Sequence, residues 1–164
     1  MRERHAVRLR RRAQEFEAFV AGAAGRLLHT ATLLTAEPAD PPGANERALR
    51  LLTAALARTY ADWDRLHGED PYNRTRQDLA TRFARQAWRH RRPRGGQLDR
   101  LTPQERLVLV LRLYEGAPEE QTAALLGMPV ERVRVVCIGG AARFRGTGTR
   151  PPRRDRTRPL GTAP

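Results

Sequence analysis

Apolar residues recur along most of this chain at steps of three and four, and this period constrains the fold more than any other feature. Over residues 13–35 they include Phe16, Ala23, Leu27 and Leu34, which share one face of a helix. Such a face must be covered by another element of the fold. The same period returns in later segments, and no segment alternates convincingly in the manner of a strand. The sequence therefore predicts an all-α fold.

Proline, glycine and capping residues mark where the predicted helices begin and end. A run with two adjacent prolines and a glycine at 37–43 breaks the chain between the first helix and a second over 44–66. Asp70 suits the N-cap of a third helix, with a proline at its first position. These three helices indicate a first small helical domain over 13–92, followed by a short linker over 93–100.

The second half of the chain restarts at Thr102, whose spacing to Glu105 is that of a capping box. A helix follows, then a shorter helix that ends at Gly127, and then a final helix over 130–145. Two helices joined by a short glycine-containing turn, with a third packed across them, form a helix-turn-helix, whose second helix lies in the DNA major groove. The pattern predicts a second small helical domain over 101–145.

The positive charge of the chain is unevenly distributed. The net charge is +13, with 31 arginines, no lysine and 18 acidic residues. Residues 1–12 carry six arginines and one acid, residues 89–94 four arginines and no acid, and residues 146–164 five arginines and one acid. Both ends lack apolar periodicity, so we expect disordered basic tails at 1–12 and 146–164. Such tails either attach the protein to nucleic acid or serve only its solubility.

The composition lacks most of the residues and spacings that common types of enzyme active site require. The absence of serine and lysine excludes a serine nucleophile, a Schiff-base lysine and a phosphate-binding loop that ends in Gly-Lys-Ser/Thr. Cys137 is the only cysteine, and the four histidines lack metal-binding spacing. No apolar run reaches the length of a signal peptide or a membrane span. We expect a cytoplasmic protein that is not an enzyme, takes no cofactor or metal, and binds no membrane.

Short motifs occur in register in both halves. In the second half they are the capping box, LRLYEG at 111–116 and LLGMPVERV at 125–133. In the first half they are FEAFV at 16–20, ALARTYADWDRL at 55–66 and WRHRR at 88–92. On these motifs the second half resembles region 4, and the first half region 2, of the extracytoplasmic-function sigma factors of bacterial RNA polymerase.

The resemblance implies a DNA-binding transcription initiation factor that recruits the RNA polymerase core to promoters. The region 2-like domain would contact the −10 element, and the region 4-like helix-turn-helix the −35 element. Promoter DNA and core polymerase are the implied partners, with an anti-sigma factor as a further candidate. The alternative is a degenerate sigma-like regulator or protein-interaction adaptor without initiation activity.

The resemblance also implies a polymerase-binding surface at Leu51, Leu52, Thr53 and Trp63. The family's Asp-Leu-Val-Gln signature aligns with a segment that begins at Arg50, so a base stands in place of the acid. Such a reversal should cost several kcal/mol at a polar contact that is used. This departure favours the alternative of a regulator without initiation activity.

Two sets of residues are candidates for DNA contact. The basic segment near residue 90 offers an aromatic ring that can stack on bases and arginines that can track phosphates, although Trp88 could instead be a core or linker-packing residue. The final helix offers arginines near its start and two valines and an isoleucine further along. These apolar residues either weaken DNA binding or form a protein-binding strip, unless Val136 packs inward. Gly139-Gly140 predicts fraying of this helix. The candidates are Trp88, Arg89, Arg91, Arg92, Arg132, Arg134, Val135, Ile138 and Arg143.

The linker constrains how both promoter elements could be reached. About six free residues span at most roughly 20 Å. The two elements lie on the order of 50 Å apart along the duplex, at about 34 Å per turn. We therefore expect either a non-standard promoter geometry or a protein that uses one domain at a time.

Overall fold

Helices make up the regular structure of the residues described in our computed structural model, which are 2–66 and 68–146. This confirms the all-α prediction. The expected C-terminal tail from residue 147 onward lies outside the described residues. The helices are α1 (Arg2–Thr35), α2 (Glu46–Ala61), α3 (Pro71–Arg85), α4 (Pro103–Leu109), α5 (Glu119–Leu126) and α6 (Val130–Gly146), with 3₁₀ turns at Trp63–Arg65 and Ala87–His90 and a π-helical turn at Val110–Tyr114.

The predicted helix caps are confirmed. Asp70 accepts a hydrogen bond from the backbone N–H of Tyr72 at 3.0 Å and so caps α3. Thr102 and Glu105 form both bonds of the capping box at the start of α4. Gly127 ends α5 in the left-handed conformation, with φ of 62°. These local signals set the boundaries of the helix-turn-helix as the sequence predicts them.

Helix α1 begins inside the segment that was expected to be a disordered tail. Residues 2–12 form its first three turns. Arginine is a good helix former, and Arg12 ties this part of the helix to the body. Its guanidinium donates to the carboxylate of Asp64 at 3.1 Å and to the carbonyl of Tyr60, and it lies 4.5 Å from the centre of the Tyr60 ring. The structure therefore replaces the expected N-terminal tail with helix.

The two predicted domains pack against each other through one continuous hydrophobic cluster. Leu34 of α1 and Phe83 of α3 are fully buried in it together with Leu107 and Leu111 of the second half. The faces left open by the short amphipathic helices of each half cover one another. The linker over 93–100 thus joins two halves that share a core.

A buried arginine crosses this contact between the halves. The guanidinium of Arg106 in α4, a residue only 1% exposed, donates to the carbonyl of Leu34 at 2.8 Å and to the carbonyl of His90. Within the described residues no carboxylate forms an ion pair with it. Burial, and then the charge of Arg94, lower the pKa of Arg106 to about 10. The cation is held by two backbone carbonyls and lies 6.0 Å from the centre of the Phe83 ring.

A buried carboxylate forms a second polar contact between the halves. Glu115 follows the π-helical turn and accepts hydrogen bonds from the hydroxyl of Tyr72, at 2.9 Å, and from that of Thr30. The guanidinium groups of Arg76 and Arg26 lie 3.7 and 3.8 Å from its carboxylate. Burial, and then the bond to Glu115, raise the pKa of Tyr72. Four side chains from α1 and α3 therefore converge on one residue of the second half.

Helix α6 continues through Gly139 and Gly140, so the expected fraying there is wrong. Gly140 is buried, and a Cβ at this position would lie 2.6 Å from Leu109 Cδ1 and 3.4 Å from Glu105 Cβ. The missing side chain allows α6 to cross α4 closely. The helix-propensity cost of glycine is thus offset by packing that no local pattern reveals.

The linker is pinned to the loop between α1 and α2. The N–H of Gly96 donates to the carbonyl of Ala36 at 3.0 Å. A Cβ at residue 96 would lie 2.5 Å from the carbonyl carbon and oxygen of Ala36 and from the carbonyl oxygen of Glu37. Only glycine fits this approach of two backbones without a shift.

We expect Gly96→Ala to lower the free energy of unfolding by about 1–3 kcal/mol, because the added methyl meets backbone rather than a movable side chain. Gly22→Ala is the matched control. Gly22 lies in the exposed interior of α1 with no atom within 4 Å of its Cβ position, so this change should stabilise by up to about 1 kcal/mol. Urea unfolding monitored by circular dichroism measures both. A Gly96→Ala protein as stable as the parent would contradict the close approach.

Candidate nucleic-acid interface

The basic segment after α3 presents its aromatic ring to solvent. Trp88 lies in the 3₁₀ turn and is 64% exposed. The guanidinium of Arg89 lies 4.9 Å from the centre of the Trp88 ring. Trp88 is therefore not a core residue, and its exposure leaves it able to stack on a base.

Trp88 stands at the edge of a concave site of about 820 Å³ between α2, the end of α3 and the basic segment. We call this site the arginine basin. Among the residues that the structure describes, none with an acidic side chain lines it. Leu51 and Ala54 contribute to its wall, whereas Arg91 does not. Its six arginines are Arg47, Arg50, Arg82, Arg89, Arg92 and Arg94.

Two of these arginines, Arg47 and Arg82, were missed by the sequence interpretation, which considered the charge run over 89–94 and, separately, Arg50. Arg47, Arg50 and Ala54 follow one another at steps of three and four, so they share a face of α2. That spacing was a signal for Arg47. Arg82 joins the basin only through the packing of α3, and no local pattern indicates it.

His90 also lines the basin, and its side chain is buried. Its ring centre lies 4.9 Å from that of Phe83, and its Nδ1 has no hydrogen-bond partner within the described residues. Burial, followed by the charges of Arg106, Arg94 and Arg47, lowers the pKa of His90 to about 4. His90 is therefore uncharged at neutral pH, and the positive charge of the basin comes from arginine.

The residues expected to bind polymerase divide into core and surface. Leu51 and Leu52 are buried in the shared hydrophobic cluster and hold α2 in place. Thr53 faces solvent, and its hydroxyl donates to a carbonyl of its own helix at 2.8 Å. Trp63 is half-buried, with its ring packed edge-on against an aromatic ring of α1 at 5.2 Å. Arg50 is exposed and forms an ion pair within α2 at 3.2 Å.

The arginines expected on the recognition helix differ in their availability. Arg132 is exposed and forms no ion pair within the described residues. Arg134 donates to Glu119 of α5 at 2.7 Å, and this bond raises its pKa. Arg143 is paired with Glu105 at 2.5 Å. The sequence interpretation missed the role of Glu119, the first residue of α5, which neutralises Arg134.

The apolar residues of α6 do not form a continuous outer strip. Val136 is buried with Val133 in a cluster between α4, α5 and α6. Val135 and Ile138 are 61% and 70% exposed. Two isolated apolar side chains beside Arg132 suit contact with thymine methyl groups as well as contact with a protein.

The described residues contain no group of three potential metal ligands. Nor does any helix among them have the length and apolar character needed to cross a membrane.

Comparison with known proteins finds two similarities. The family "Sigma-70, region 4" matches residues 97–136, which cover α4, α5 and the start of α6. The RNA polymerase sigma-E factor of Streptomyces coelicolor is 31% identical over 159 residues, covering 80% of this chain and 84% of that protein. No solved structure gives a significant match.

The buried His90 predicts a pH dependence of stability. Because its pKa falls from the ordinary 6.5 to about 4 on folding, the unfolded chain binds the proton more readily between these values. The unfolding free energy should therefore fall as pH drops from about 6.5 towards 4, by up to about 1.4 kcal/mol per pH unit, and should not change through this group above 6.5.

Urea unfolding of the parent and of His90→Asn, between pH 8 and 4.5, measures this effect. The slope below pH 6.5 should be smaller in His90→Asn. His5→Asn, at an exposed position of α1, is the control and should keep the parent's slope. Equal slopes in all three proteins would contradict a buried neutral His90.

Proposed function

Because this chain belongs to the sigma-70 family of RNA polymerase sigma factors, as a member of the extracytoplasmic-function type, we propose that it recruits the polymerase core to promoter DNA. The observation that carries the proposal is the presence, in one chain, of a helix-turn-helix with an exposed recognition helix and of an aromatic and arginine-rich surface on the other half. The family is not enzymatic, and we propose that the protein acts in the cytoplasm without a cofactor.

In this proposal α6 reads the −35 element. The exposed Arg132 is placed near the start of the helix, where major-groove helices contact phosphates and base edges. Val135 and Ile138 lie about one and about two turns further along and offer methyl groups to thymine. Arg134 can join them only when it leaves Glu119. The geometry supports fewer charged contacts than the number of arginines in α6 suggests.

The surface around Trp88 is proposed to hold the −10 element. Trp88 can stack on an unpaired base while Arg89, Arg91 and Arg92 contact phosphates on either side. Counterions released from these phosphates would make the affinity dependent on salt. The helical arginines of residues 2–12 are proposed to add to the same electrostatic attraction.

The proposed polymerase contact uses the exposed edge of α2 around Thr53 together with Trp63. Leu51 and Leu52 support that edge from below. Arg50 stands where the family has an acid, and this departure favours a second candidate function, a sigma-like regulator that binds DNA or a protein without starting transcription. An anti-sigma factor remains a candidate partner for either function.

The shared core also limits how far apart the two halves can reach on promoter DNA. With both halves packed together, contact with both promoter elements requires either an unusual promoter geometry or separation of the halves. We propose that one half at a time engages DNA unless the halves part.

Run-off transcription with purified core polymerase separates the two candidate functions. Promoter-dependent transcripts are expected for the sigma function. DNA binding without open complexes at any tested promoter would support the regulator instead. No association with core polymerase at low salt would rule out the sigma function.

A double-mutant cycle tests the recognition helix. We expect Arg134→Gln to weaken binding to a −35 duplex by about 1–3 kcal/mol if the side chain reaches a base. Glu119→Gln should tighten binding, since it removes an acid near the duplex and frees Arg134. When Arg134→Gln is already present, Glu119→Gln should raise the DNA affinity by less, because it then only removes the repulsion between the acid and the DNA phosphates.

Fluorescence anisotropy at fixed salt measures these affinities. Glu17→Gln, on the exposed face of α1, is the control for a change of one charge. If Glu119→Gln binds no more tightly than Glu17→Gln, the pairing with Arg134 does not limit DNA contact.

A further inference from the structure

We propose that the arginine basin is a binding site for a compact polyphosphate of three or more phosphate groups. Phosphate chains of this kind occur as free inorganic anions and as the phosphate groups of nucleotides, and the recognising chemistry is the same. The inference rests on the geometry of the basin in the free protein and not on the proposed sigma function.

The charge of the basin is largely uncompensated. Arg50 pairs with Glu46 at 3.2 Å, and Arg82 with Asp78 at 2.5 Å. Within residues 2–66 and 68–146 no ion pair involves the other four arginines. Two of these, Arg47 and Arg94, instead donate to one shared acceptor, the backbone carbonyl of Arg89, at 3.5 and 3.3 Å. The carboxylate of Glu37 lies near Arg94 and attracts it, but within these residues it forms no ion pair with any of the four. The guanidinium groups therefore repel one another until an anion joins them.

Part of this positive charge is also removed from water. Arg94 is half-buried, and its Nε has no hydrogen-bond partner within the described residues. Burial, and then the charge of Arg47, lower the pKa of Arg94. Buried charged groups normally have a partner, and a phosphate oxygen would supply one.

The shape of the basin favours a small anion. Its volume of about 820 Å³ falls within the usual range for small-molecule sites, roughly 300–1,000 Å³. The arginines approach from α2, α3 and the linker, so they surround a compact ligand from three sides. Planar guanidinium forks match the oxygens of phosphate in pairs. A chain of three phosphates can meet several forks at once.

Trp88 allows the two sources of phosphate to be distinguished. Its exposed ring stands at the rim of the basin. A nucleotide that places its phosphates among the arginines could stack its base on Trp88. An inorganic phosphate chain has no base that could stack on the Trp88 ring.

Isothermal titration of the free full-length protein tests the proposal, with ATP and inorganic tripolyphosphate as probes, without magnesium, at about 0.15 M salt. We expect both probes to bind the parent protein. Arg47→Gln with Arg94→Gln should lower the affinity by about tenfold or more. The matched control is Arg8→Gln with Arg10→Gln, which removes the same charge from the exposed start of α1 and should change the affinity by less than about twofold.

A second variant guards against a folding defect in the first. Arg50→Glu changes an exposed side chain at the rim, and it should also lower the affinity about tenfold, whereas Arg8→Glu should not. Equal losses in the basin and control variants would show attraction by net charge alone and would overturn the site. So would the absence of binding to the parent protein.

Trp88→Leu then identifies the source. A loss of affinity for ATP with unchanged affinity for tripolyphosphate supports a nucleotide ligand. Unchanged affinity for both supports recognition of the phosphate chain alone. Because no DNA or polymerase is present, these outcomes are independent of whether the protein starts transcription.

Discussion

The guanidinium of Arg106 is the interaction on which the arrangement of the two halves depends. It satisfies the carbonyl at the end of α1 and the carbonyl of His90 from within the shared core. Keeping a cation there without a carboxylate carries a desolvation cost, which the two carbonyls offset only in part. If the halves separated, water would again solvate the guanidinium of Arg106, but the leucines around it would also become exposed. The stability of the packed arrangement is therefore the favourable burial of leucines minus the cost of desolvating Arg106.

The same charge continues outward from the core. Arg106 on the core side, and Arg94 and Arg47 at the arginine basin, all lower the pKa of His90, which stays neutral between them. Arg47 in turn lowers the pKa of Arg94. The buried carboxylate of Glu115 lies on the other side of the contact, where α1 and α3 surround it. The fold thus places an acid where the halves pack together, whereas four of the six basin arginines form no ion pair within the described residues.

Local sequence signals predicted most of the helices but little of their packing. The N-caps at Asp70 and Thr102 and the glycine at 127 depend on neighbours within four residues, so the sequence alone was sufficient. Gly96 and Gly140 matter because distant backbone or side chains approach them, whereas the sequence predicted only a linker at the first and fraying at the second. The candidate interface divides in the same way. The charge run identified Trp88, Arg89 and Arg92, whereas Arg82 and Glu119 became relevant only when separate helices met.

Helix α1 runs without interruption from Arg2 to Thr35. Its 34 residues, at about 1.5 Å each, make a rod about 50 Å long. One end carries arginines in solvent, and near the other end the carbonyl of Leu34 accepts a hydrogen bond from Arg106 in the core. A rod of this kind transmits orientation. Any surface that binds the arginine-rich end therefore also fixes the orientation of the rest of the protein.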